Sequence, residues 1–256
     1  MISTRKDDSR HLNESTDSSV LTRQNNFSVK ILTTNEDKIH AYRLRHTIFS
    51  KELQWVPETD NGLEMDCYDK NAVFFGVFNA DNRLVSFLRL ITSEWPFMLD
   101  REFASLVGSS HNIRKDNDTA EVSRLCVSPD ARKTAIRSNF GIHTVSMLLY
   151  KGIYLWCVRN SIRYLYLVVE YRIFRLLQSR GFPCELIGAP QAMPDGVLAV
   201  GAIMDWREFE RRNRLLRPKL FLWFTQRQSA HDQWRLQLHA SSIPHQASVS
   251  RCQHDS

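Results

Sequence analysis

Several features are missing from this sequence. No apolar run reaches the ~20 residues that a membrane-spanning helix requires; the richest stretch, VSMLLYKGIYLWCV (145–158), is short and contains Lys151. The N-terminal MISTRKDDSRHLNESTDSSV lacks the apolar segment of a secretory signal. Five cysteines, Cys67, Cys126, Cys157, Cys184 and Cys252, include no Cys-x-x-Cys pair, so neither a zinc site nor a dithiol redox centre is indicated. These absences lead to the expectation of a reduced, cytoplasmic protein without a membrane partner. No internal repeat is visible either.

What is present fits a soluble globular chain: 43% hydrophobic and 24% charged residues over 256 positions. The net charge is +6, from 34 basic and 28 acidic side chains. Most of it lies late, because Arg207 to Ser256 holds nine Lys/Arg against four Asp/Glu. A solvated basic tail accounts for this; a nucleic-acid-binding tail is the rival, less favoured reading. Composition divides the chain into a disordered polar tail (1–26), one domain (27–217) and a basic, largely irregular extension (218–256).

Within the domain, FSVKILT (27–33) reads as a strand. Thr34 or Asn35 can cap a helix reaching about Leu53. AVFFGVFN (72–79) and RLVSFLRLI (83–91) form a hairpin across Ala-Asp-Asn. EVSRLCV (121–127), IRYLYLVV (162–169) and GVLAVGAIMD (196–205) read as further strands. Helices are expected over 142–158 and over YRIFRLLQSR, which Gly181 closes. A meander followed by alternating strands and helices predicts an α/β fold, a mixed sheet with helices on its faces.

Charged residues interrupt this apolar pattern. Arg45 and Phe49, four apart, share a helix face, and Trp55 follows the helix end; taken alone, a surface arginine and two core aromatics explain them. Glu64, Asp66 and Asp69 crowd one loop without the spacing of a calcium-binding loop; no metal is expected, and the cluster is either solvated or paired to arginines from elsewhere. Arg89 lies in an apolar strand and needs water or a carboxylate. In an ideal strand Glu121 and Ser123 face one way and Arg124 the other.

RLRHTIFSKELQW, GLEMDCYD, RLVSFLRLITSEWPFML and AEVSRLCV, in that order, resemble the acyl-homoserine-lactone synthases, or autoinducer synthases. Arg45, Phe49, Trp55, Glu64, Asp66, Asp69, Arg89, Glu121, Ser123 and Arg124 occupy the family's motif positions. The likeness runs from about residue 27 to 206, weakly through LLQSRGF and APQAMPDGVLAVGAI. It implies a GNAT-like, mostly antiparallel sheet flanked by helices in a single domain. The reaction it implies is acyl transfer from acyl-acyl carrier protein or acyl-CoA to S-adenosylmethionine, giving an N-acyl-L-homoserine lactone and methylthioadenosine. No cofactor is implied, since S-adenosylmethionine is a substrate and phosphopantetheine arrives on the acyl carrier. Another GNAT-like N-acyltransferase, of the exosortase-associated type, shares the E-x-S-R strand and stands as the alternative.

On this resemblance Glu121 is the candidate base for the substrate amine, with Ser123 beside it. Arg124 is expected to point the other way and pair with Asp66 and Asp69, in a network joined by Arg45. Phe49 and Trp55 would wall the pocket for the sulfonium substrate. Arg89 would pair with the substrate carboxylate or with Glu64. Leu167 falls where family members that make 3-oxo products carry a threonine, so an unsubstituted or otherwise non-3-oxo acyl chain is expected. Lys133, Arg137, Arg172 and Arg175 are candidates for docking an acidic carrier.

Overall fold

The computed structural model describes residues 18–226. Its strands are β1 (Val20–Gln24), β2 (Phe27–Ile31), β3 (Ala72–Phe78), β4 (Leu84–Thr92), β5 (Thr119–Val127), β6 (Ala135–Ser138), β7 (Gly141–Thr144), β8 (Tyr164–Glu170), β9 (Cys184–Leu186), β10 (Gln191–Ala192) and β11 (Leu198–Asp205). The helices are α1 (Asn35–Arg45), α2 (Val145–Arg159), α3 (Tyr171–Ser179), α4 (Trp206–Leu216) and α5 (Pro218–Thr225). One sheet runs β1-β2-β3-β4-β5-β8-β11-β10, with β9 also on β11, while β6 and β7 make a separate hairpin. Among the described residues only the β5–β8 pairing is parallel. This is the mixed, mostly antiparallel sheet flanked by helices expected from the sequence.

β4 is apolar at nearly every position because both faces of the sheet are covered. Leu88 and Leu90 enter the core beneath α2, whereas Phe87 and Ile91 face the opposite layer. α1 and the loops that follow it lie in that second layer. Thr34 caps α1 by accepting from the Asp37 amide at 3.1 Å, and Glu36 and Asp37 sit in the favourable first turn. The helix continues to Glu52, but as a π-helical turn over His46–Glu52. Widened turns of this kind occur often at functional sites.

Two expected boundaries change. Residues 20–24 are not tail but β1, joined to β2 through Asn25-Asn26, with Asn25 at φ +52°; asparagine tolerates that conformation better than most residues. Residues 218–225 are not irregular: Pro218 opens α5, and Trp223 and Phe224 are fully buried against the main core. The remaining parts of the expected tail and extension, 1–17 and 227–256, lie outside the described residues. No described helix is long and apolar enough to cross a membrane.

Candidate active site

The site is built around an irregularity in β5. Phe87 pairs with Cys126 and Arg89 with Ser123, so Leu88 alone opposes Arg124 and Leu125. The extra residue is a β-bulge, and Arg124 adopts φ +55° within it. Simple alternation sends Arg124 to the face opposite Ser123; the bulge instead keeps it on the face shared by Glu121, Ser123 and Arg89. That overturns the expected orientation of Arg124.

Three guanidiniums and three carboxylates meet on this face. Arg45, at the end of α1 and fully buried, donates from Nη1 to Asp69 Oδ1 at 2.7 Å and from Nε to Glu64, and lies 3.8 Å from Asp66. Arg89 donates to Asp66, to Asp69 Oδ1 at 2.8 Å and to Ser123 Oγ at 3.0 Å. Arg124 reaches Glu64 at 3.2 Å and Asp66 at 2.8 Å. The expected Arg124–Asp69 pair does not form, because Arg45 and Arg89 share Asp69. Nor does Arg89 reach Glu64 or remain open to a substrate carboxylate: it is 0% exposed, with its donors taken by Asp66, Asp69, Ser123 and the Met98 sulfur.

Opposed charges decide the ionisation here. Burial pushes the Glu64 carboxyl upward, but Arg45 and Arg124 more than offset it and hold it below the usual range. Asp66 is held low in the same way by Arg89, Arg124 and Arg45. Burial disfavours the Arg45 charge, yet Glu64 and Asp69 outweigh that and raise its affinity for the proton. Such a cluster costs desolvation, and its completeness is what makes it tolerable.

Glu121 is different. It is 1% exposed and has no guanidinium partner; its carboxylate accepts from the amides of Met98 at 2.6 Å and Leu99 at 3.1 Å. Burial pushes its pKa up to about 7, against the smaller opposing effect of those two amides. The carboxyl therefore sits at the midpoint a general base needs near neutral pH.

A cavity of about 780 Å³ runs past this carboxyl. Parallel pairing of β5 with β8 is confined to Thr119–Val122 and Tyr164–Leu167, and the strands part beyond it. One arm of the cavity, in the α1 layer, is lined by Phe49, Trp55, Met98, Glu121, Ser123 and Arg124. The other arm, on the α2 side, is apolar and lined by Tyr150, Ile153, Leu167, Leu177, Phe182 and Trp206. Phe49 and Trp55 stack with centroids 6.1 Å apart, and the Arg124 guanidinium lies 5.7 Å from the Phe49 ring centre.

The structure thus gathers every sequence-derived site residue, but in two groups. Glu121, Ser123, Arg124, Phe49, Trp55 and Leu167 face the cavity; Arg45, Arg89, Glu64, Asp66 and Asp69 lie behind it. The PFML segment (96–99), part of the motif pattern, supplies the Met98 and Leu99 amides that hold Glu121. Glu102, bonded by the Tyr68 hydroxyl, and Tyr150 also line the cavity and were not anticipated. Both carry side chains of ordinary type in unremarkable local sequence, so no pattern announces them.

A split, bulged sheet thus encloses a buried carboxylate beside a cavity. The family model described as autoinducer synthase matches residues 30–214, and the chain belongs to that family of enzymes. It is 27% identical to an acyl-homoserine-lactone synthase of Rhizobium radiobacter over 66% of this chain and 80% of the relative. With an acyl-homoserine-lactone synthase of Aeromonas hydrophila it shares 29% identity over 61% of this chain and 74% of that one. The fold is similar to that of the CoA-dependent acyl-homoserine lactone synthase BjaI, with TM-score 0.58 and 22% identity over 69% of this chain and 80% of that chain. It is also similar to the synthase LasI, with TM-score 0.58 and 16% identity over 70% of this chain and 89% of that chain.

Proposed function

We propose that this enzyme transfers an acyl group from a thioester donor to the amine of S-adenosylmethionine and closes the product to an N-acyl-L-homoserine lactone. The observation that carries this reading is the placement of Glu121, half-ionised near neutrality, where a polar and an apolar arm of one cavity meet. The stacked Phe49 and Trp55 suit a sulfonium nucleoside, and the apolar arm suits an acyl chain.

An α-amine with a pKa of about 8 is largely protonated at pH 7 and cannot attack. Glu121 takes that proton, directly or through a water. The freed amine adds to the thioester carbonyl and the carbon–sulfur bond breaks; of the two protons the ammonium loses on becoming an amide, one passes through Glu121 to the departing thiolate and the other goes to solvent. Ser123 and Arg124 border the reacting centre, and the arginine–carboxylate cluster fixes Arg124 and the π-helical turn that carries Phe49. The substrate's carboxylate then attacks its own γ-carbon and expels methylthioadenosine as a neutral thioether, a step favoured by intramolecular proximity.

The donor's acidic portion is assigned to a groove of about 920 Å³ beside the start of α2, lined by Arg132, Lys133, Arg180, Arg217 and Lys219. Of the expected docking residues only Lys133 lines it. Arg137 lies on the adjoining hairpin, Arg172 pairs with Glu170, and Arg175 is on the exposed side of α3. The groove's charge suits acyl carrier protein and CoA alike. The test is incubation with S-adenosylmethionine and either donor, following methylthioadenosine release and lactone mass. Release of methylthioadenosine together with an acylated lactone is expected; neither product with any donor overturns the proposal. The exosortase-type alternative gives an N-acyl product without methylthioadenosine, and the nucleic-acid reading leaves Glu121 without a task.

A further inference from the structure

The apolar arm of the cavity contains a polar hydroxyl that the reaction above does not use. Tyr150 projects from α2, with its ring edge-on to Phe182 at 5.4 Å and 82°. Protein encloses it, and burial pushes its phenol further above the ordinary value, so the group is a neutral hydroxyl. Yet Tyr150 is only partly buried, and it lines the cavity. Its hydroxyl has no hydrogen-bond partner among the described residues.

The consequence follows from what fills the arm. Water in the unoccupied cavity can satisfy the hydroxyl. A plain hydrocarbon chain displaces that water and leaves the hydroxyl unpaired in apolar surroundings, which is unfavourable. A chain bearing an oxygen restores the bond. Leu167, in the same arm, bars such a bond only at its own position, so the expectation of an unsubstituted chain drawn from Leu167 is incomplete.

We propose that Tyr150 is a specificity-determining residue that selects acyl chains carrying an oxo or hydroxyl oxygen over plain chains of equal length. The assignment rests on the acyl-transfer reading of the cavity. Donors of matched length, plain, 3-oxo, 3-hydroxy and hydroxylated further along, are compared by kcat/KM in the wild-type enzyme and in Tyr150→Phe. One oxygenated donor should exceed the plain one by about fivefold or more, the worth of one hydrogen bond. In Tyr150→Phe that ratio should fall to about one, while the thermal midpoint stays unchanged. A purely structural role moves all donors equally, and that result overturns the assignment. Titration with non-reactive thioether analogues of the same donors reads the preference without turnover. No preference in that titration defeats the Tyr150 assignment, whereas an intact preference without methylthioadenosine release defeats only the reaction.

Discussion

At position 121 a carboxylate sits almost out of reach of water and is held by two backbone amides instead of a cation. Glu121→Gln should lower kcat by about a hundredfold or more, the usual contribution of a positioned base, and leave S-adenosylmethionine binding nearly intact by calorimetry. In the wild type, kcat should climb as pH rises through about 7, because only the ionised form accepts a proton. The same shift affects stability: a carboxyl with a raised folded pKa loses stability as pH rises from its ordinary value near 4.5 to about 7. The slope of thermal midpoint against pH should therefore flatten in Glu121→Gln over that window. Arg89 is the contrary case. Arg89→Met takes one guanidinium from each of Asp66 and Asp69, leaving the buried cluster short of a cation, and should cost about 3–5 kcal/mol in denaturant unfolding. Glu64 and Asp66, held low, stabilise the fold above their ordinary values of 4.5 and 3.8 and lose that contribution as pH falls through their depressed pKa values. Acid unfolding should accordingly be steep below about pH 4 in the wild type.

At the scale of elements, what the sequence made legible followed burial. β3, β4, β8 and β11 are apolar runs because both their faces are covered, and their bounds differ from expectation by one or two residues. α3 closes where Gly181, at φ +95°, allows it. β1 is hard to read because VLTRQ alternates only weakly and takes its place through pairing with β2 and packing on α2, although Asn25-Asn26 is the kind of turn that announces a hairpin. The bulge at Arg124 was illegible: nothing in EVSRLCV marks one extra residue, and pairing with β4 alone reveals it. Pair partners within the charged cluster were illegible for the same reason. α5 was visible only as the apolar LFLWF, and its importance lies in packing. Trp223, 0% exposed, stacks on His143 with centroids 3.6 Å apart and has the Lys151 ammonium 5.1 Å from its ring centre. Trp223→Ala should cost about 3–5 kcal/mol in chemical unfolding, although the family match ends at residue 214.

At the scale of the whole molecule, the cavity passes between strands instead of sinking into one face. Residues from both faces of the sheet line it, so on the proposed reaction the two reactants can occupy different parts of it at once. On that reading each would dock while the other is already seated, and amine would meet carbonyl without the acyl group being parked on the protein. Initial rates measured with both substrates varied should then give double-reciprocal lines that cross; parallel lines would mean that one reactant must depart before the next arrives.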